Sequence, residues 1–188
     1  MTLMTEAHAI TAPSGGWTVD DLDRWPESHV RYELTDGALT VSPSPSSLHQ
    51  ALALQLGVQL DALAPTHLAV TQAVDIRFAR QLTRVPDLLV VESDQPARHW
   101  FAPAEVLLAI EIESPGSHTE DRVTRPSIYA RYGIPNFWRI ELDPLTVHVY
   151  RLGDDKYREV ATAADLLVRD EPFPIELVVA ELLPRWAR

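Results

Sequence analysis

Val85-Pro86-Asp87-Leu88-Leu89-Val90-Val91 and Val106-Leu107-Leu108-Ala109-Ile110-Glu111-Ile112-Glu113 are the stretches on which the fold turns. The first is short, apolar and rich in β-branched residues, which suits a central strand covered on both faces. The second begins the same way and then alternates: Ile110 and Ile112 face one way, Glu111 and Glu113 the other. Two carboxylates at i and i+2 repel unless something positive lies between or beside them. A hard divalent cation such as magnesium is one such partner. Asp87 stands at the start of an apolar strand, where Asp has poor β propensity. If the two strands are neighbours, Asp87 meets Glu111 over one face, and the pair can hold a metal for phosphodiester chemistry. The residues alone equally allow a structural arrangement, with Asp87 capping a loop and the glutamates lining a solvated sheet end beside arginines.

Around this centre the chain reads as one domain. Residues 1–16 form a flexible arm, small and polar, ending in Pro13-Ser14-Gly15-Gly16, and residues 17–188 follow as a single domain. Thr18 can cap a short helix that Trp25-Pro26 ends. Tyr32–Leu34 and Ala38–Val41 flank Asp36-Gly37, a dipeptide suited to a tight hairpin turn. Ser46 or Ser47 caps a helix over 48–63, whose Leu48, Leu52, Leu56, Leu60 and Leu63 recur at helical spacing. A strand is predicted at 68–78 and a loop at 93–103. After Ser114–Thr119 a helix runs to about Tyr132, with Pro126 in its first turn and Gly133 at its end. Phe137–Leu142 and Thr146–Arg151 make a hairpin around Asp143-Pro144. Lys156–Ala161 and Leu166–Val168 are weaker strands, and Ile175–Leu183 reads as a closing amphipathic helix. The order predicts an α/β domain with a mixed central sheet flanked by helices.

The 188 residues suit one core, and 46% are hydrophobic, so a packed globule is expected. There is no cysteine, which excludes disulfides, thiolate metal sites and cysteine nucleophiles. No apolar run is long enough to cross a bilayer, and no secretory signal is visible, so a cytoplasmic location without membrane attachment is expected. The net charge of −11 excludes a protein that coats nucleic acid with a broad basic surface, but not a local basic groove. Lys156 is the only lysine.

Over a longer span the residues resemble a known pattern. Val85-Pro86-Asp87 followed by Glu111-Ile112-Glu113 is similar to the PD…(D/E)xK signature of the restriction-endonuclease-like superfamily. Ile110–Ser117, Asp121-Arg122, Tyr129 and Gly133-Ile134-Pro135-Asn136-Phe137-Trp138 follow in order, with Arg31–Leu34, Asp36-Gly37 and His49-Gln50 upstream. Together they resemble the Uma-two family of nucleases, over about residues 17–183. The resemblance implies a restriction-endonuclease-like fold, DNA as substrate, magnesium (or manganese in its place) held by Asp87 and Glu111, and a homodimer. It implies that Glu33 and His49 frame the same cleft, and that Arg122 and Arg125 meet the substrate phosphate.

The chain departs from that pattern at its basic residue. Glu113 stands at the superfamily's lysine position. The family's lysine, four residues after the aspartate, is Arg125 here. Arginine stays protonated and cannot act as a base, although its fork suits phosphate. Weak or absent hydrolysis with phosphate binding retained is therefore expected, and a degenerate module that binds nucleic acid or a protein is the alternative. On the residues alone His49 is as readily a capping or packing side chain, Glu33 an exposed strand residue, and Asp121 a helix cap beside Arg125. Ser114 has no histidine at a fixed spacing to activate it. Phe137, Trp138, Tyr129 and Tyr132 read as core before base-stacking platform. Arg185 and Trp186 are candidates for a dimer contact.

Overall fold

A computed structural model describes residues 12–25, 31–42, 44–114 and 116–187. The start of the N-terminal arm, Pro26 and Pro115 lie outside them. The described end of that arm is anchored: Trp17 N donates to Gly37 O, and Gln81 Nε2 to Gly15 O. Helix α1 spans Val19–Leu22, with Asp21 Oδ2 accepting from Thr18 N. Strands β1 (Arg31–Thr35) and β2 (Ala38–Ser42) form the expected hairpin. Asp36 and Gly37 take φ of 50° and 80°, as a two-residue turn of this twist requires.

Helix α2 runs Ser47–Leu63, and Ser46 is its cap, its Oγ accepting from His49 N at 3.2 Å. The strand expected at 68–78 is two strands, β3 (Leu68–Gln72) and β4 (Asp75–Ala79). Ala73, at φ 54°, turns the chain between them, and the two pair in different sheets. The strand expected at 85–91 starts only at Leu88. β5 (Leu82–Arg84) and β6 (Leu88–Glu92) belong to different sheets, and Val85-Pro86-Asp87 is the crossing. Pro86 has no N–H to give a ladder, which suits a break there.

β7 (Trp100–Phe101) lies in the predicted loop; β8 is Val106–Ile112. A π-helical turn, Glu120–Thr124, leads into α3 (Arg125–Arg131), with Pro126 in the first turn of α3. β9 (Asn136–Leu142) and β10 (Leu145–Leu152) make the second hairpin, followed by β11 (Tyr157–Ala163) and β12 (Leu166–Arg169). The closing helix is a correction. Ile175–Val178 is strand β13, and only Val179–Leu182 turns, as 3₁₀ helix. Ile175, Leu177 and Val179 are buried and Glu176 and Val178 exposed, which is the strand period of two.

Among the described residues the main sheet is mixed, in the order β11-β10-β9-β8-β6-β3, with β8 and β9 parallel. Leu52, Leu56 and Leu60 of α2 pack on one face against Leu88, Val90, Leu108, Ile110 and Trp138. Leu89, Val91, Ala109 and Phe137 face the other way, onto Tyr129 of α3 and onto Ile76, Phe78 and Phe101 of a second sheet, β2-β1-β5-β4-β7. That face is thus flanked by a sheet as much as by a helix. No helix of the described residues is long and apolar enough to cross a membrane.

Candidate active site

The crossing from β5 to β6 places Asp87 where the two sheets part. Leu88 pairs with Ile110, so Asp87 lies beside the end of β8. Its Oδ2 accepts from Ile112 N at 2.9 Å, and its Oδ1 from Arg31 Nη1 at 3.1 Å. His49, one turn into α2, puts Nε2 within 3.1 Å of Asp87 Oδ2 and 3.0 Å of Ile112 O. A carbonyl can only accept, so Nε2 carries the proton and donates to both. His49 thereby ties α2 to the aspartate rather than offering a lone pair to the cleft. Its Nδ1 is buried and unpartnered.

Glu111 and Glu113 do share one face of β8, but they serve two clusters. Glu111 Oε1 accepts from Tyr129 Oη at 2.5 Å and from Arg125 Nη1 at 3.1 Å. Arg125 Nη2 donates to Glu33 Oε1 at 2.8 Å, and its Nε lies 3.6 Å from Asp121 Oδ1. Glu33 Oε1 also accepts from Val85 N at 2.7 Å. The guanidinium therefore sits among three carboxylates from β1, β8 and the π turn. Asp121 accepts from Ser117 Oγ as well.

Glu113 belongs to the other cluster. Arg122 grips it with Nε and Nη2, at 2.7 and 2.8 Å, and Arg139 Nη1 donates to it at 2.5 Å. Arg122 Nη2 and Arg139 Nη1 also reach Glu141, and His118 Nδ1 lies 3.2 Å from Glu113 Oε2. The positive partner that two neighbouring glutamates demand is supplied here by arginines. Arg122, expected at the substrate phosphate, is spent on this network.

Burial pushes the Glu111 carboxyl well up, against the pull of Arg125. Burial also raises Asp121, to about 6. Asp87 goes the other way: burial alone would raise it, but His49, Ile112 N–H and Arg31 outweigh that and hold it down. His49 is raised, since the pull of Asp87 exceeds the effect of burial. Arg125 is held firmly protonated by Glu111, Tyr129 and Glu33, despite its burial.

Glu33, His49, Asp87, Glu111, Asp121 and Arg125 all line one cleft of about 570 Å³. Among the described residues no three His, Asp or Glu converge as a ready-made metal cage. Arg31, Arg139 and Tyr129 were not singled out from sequence as site residues. Arg31 carries a visible signal, two residues before Glu33 on one strand face. Arg139 carries another, a charge inside an apolar strand that precedes Glu141 on the same face. Tyr129 carries only its place in the family pattern, because its hydrogen bond to Glu111 depends on how α3 docks.

No curated protein matches the chain. A crystal structure of a putative nuclease of the DUF820 family from Anabaena variabilis superposes with a TM-score of 0.72. It is 22% identical in sequence, over 91% of this chain and 99% of that one, a likeness that speaks for the fold. The family model described as Uma2, putative restriction endonuclease, matches residues 19–182, and the chain belongs to that family.

Proposed function

We propose that this cleft binds and hydrolyses a phosphodiester bond of DNA with a divalent cation, magnesium or manganese, and that Arg125 makes the hydrolysis slow. The observation that carries the reading is the convergence of Glu33, Asp87, Glu111 and Arg125 on one cleft, in a chain of a nuclease family. The donor set suits such an ion. Asp87 and Glu111 offer hard carboxylate oxygens, and magnesium characteristically binds through one or two carboxylates plus waters and substrate phosphate. Bound there, the cation would neutralise phosphate charge and acidify water.

The chain's own residues do the rest. The Ile112 N–H, His49 Nε2–H and Arg31 fix the Asp87 carboxylate in one orientation. Arg125 keeps its proton and holds Glu33 and Glu111 in place, but it cannot accept a proton from attacking water. With Lys156 the only lysine, the cleft has no amine to do so. The same geometry favours a second reading, a binding module on a nuclease scaffold, because Arg125 already neutralises Glu33 and Glu111 without a metal.

Cleavage of supercoiled plasmid with manganese separates the two. We expect weak nicking by the wild type, a gain of about tenfold or more in Arg125→Lys, and none in Asp87→Ala; tenfold is about 1.4 kcal/mol of barrier. No gain in Arg125→Lys would mean that Arg125 does not limit the rate. Calorimetric titration with manganese tests the ion itself: no heat at millimolar concentration removes the chemical basis of hydrolysis and leaves the binding module.

A further inference from the structure

Next to the cleft, and sharing Asp121 with it, runs a second groove of about 430 Å³. It lies between the outer side of α3 and the hairpin β10–β11. Phe137, Tyr150 and Tyr157 line it, with Phe137 centroid-to-centroid at 5.5 Å from each tyrosine. These rings continue the aromatic face of the main sheet. Phe137 is buried at the floor, and Tyr150 and Tyr157 are left half-buried beside the short helix α3. The tyrosine hydroxyls are engaged: Arg139 Nη2 donates to Tyr150 Oη at 3.3 Å, and Tyr157 Oη donates to Ile134 O at 2.7 Å. Rings held in this way are rigid. Lys156, the only lysine of the chain, also lines the groove, and its ammonium is in no ion pair among the described residues.

A groove flanked by the half-buried rings of Tyr150 and Tyr157 with a free cation suits a planar, weakly polar ring that carries a phosphate. An unpaired nucleobase has that chemistry, and stacking on aromatics is the general means by which proteins hold single strands. A paired base cannot enter without leaving its duplex, at a cost of a few kcal/mol. Resting on the nuclease reading of the cleft, we propose that this groove receives an unpaired base beside the phosphodiester held in the cleft, so that the substrate is single-stranded or locally unpaired nucleic acid.

The test is fluorescence anisotropy of a short labelled single strand, and of its duplex, at low salt with calcium as a non-catalytic cation. Lys156→Glu and Ser127→Glu each place a negative charge in the groove, Ser127 being exposed on α3. Gln55→Glu, exposed on α2 across the sheet, matches the net-charge change of Ser127→Glu. We expect the wild type to prefer the single strand over the duplex. Both groove variants should weaken single-strand binding about tenfold, the scale of one lost stacked base. Gln55→Glu should bind as the wild type does, and all four proteins should melt alike. Unchanged binding in both groove variants, preference for the duplex, or no binding by the wild type would overturn the proposal. Binding without manganese-dependent cleavage would instead sink the hydrolysis reading and leave the groove standing.

Discussion

Arg125 and Asp75 show what one buried charge does. A lysine at position 125 would meet Glu33 and Glu111 with a compact ammonium whose proton can be lost on burial; the guanidinium bridges both and keeps its own. The residue therefore trades proton transfer for a fixed electrostatic frame. Asp75 has no such frame. Burial raises its carboxyl to about 6, against a weaker pull from Arg77. The folded chain thus holds a proton that the unfolded chain releases near 3.8. Asp75 stabilises the fold below that value, and the contribution is lost as pH rises through about 6. Denaturant melts at about pH 4 and about pH 7 should show Asp75→Asn gaining on the wild type by on the order of 2 kcal/mol. Parallel behaviour of the two proteins would remove Asp75 from the account. Asp87 and Glu113 act with the opposite sign, being held down by their partners, so that the substitution isolates one term of a mixed profile.

Elements were legible where one period ran long enough. The leucines of α2 repeat over four turns, and Leu52, Leu56 and Leu60 are all fully buried against the main sheet. Leu56→Ala should cost about 2–5 kcal/mol, whereas Val58→Ala, at 60% exposure on the same helix, should stay within about 0.5 kcal/mol. Equal losses in urea melts would mean that α2 does not pack as described. Short elements were less legible. Residues 68–78 read as one strand because nothing in the side-chain pattern marks Ala73 as the point where the chain changes sheets. The closing segment misled for a related reason: Ile175, Glu176, Leu177, Val178 and Val179 satisfy a strand and a loose helical stripe equally, and the pairing of β13 with β12 decides between them.

At the scale of the whole molecule, the site exists because two sheets diverge. β1 brings Glu33, the β5–β6 crossing brings Asp87, β8 brings Glu111, and α3 brings Arg125. These positions are far apart in sequence and meet only when both sheets are formed. The surface also carries exposed apolar residues on the two-stranded sheet: Leu166, Val168 and Val178, each 44–57% exposed, with Trp186 at 65%. The homodimer implied by the family resemblance would cover such residues. Light scattering of the wild type should give twice the chain mass, and Leu166→Asp combined with Val168→Asp should halve it. A monomeric wild type ends that proposal.

The sequence by itself determined the α/β class, the hairpin at Asp36-Gly37, helix α2 and the strand β8 with its glutamates. Each of these rests on local physics: periodicity, capping, turn conformation and the cost of charge in an apolar strand. Sequence also marked Arg125 as the departure from the family's lysine. Only the tertiary structure decided who partners whom. It divided Glu111 from Glu113, turned His49 into a clamp on Asp87, gave Arg122 to Glu113 and filled the space among Glu33, Glu111 and Asp121 with a guanidinium. Those outcomes depend on distances between segments many residues apart. A carboxylate's partner is set by which cation the folded chain brings within about 3 Å, and that distance is not written in the order of residues.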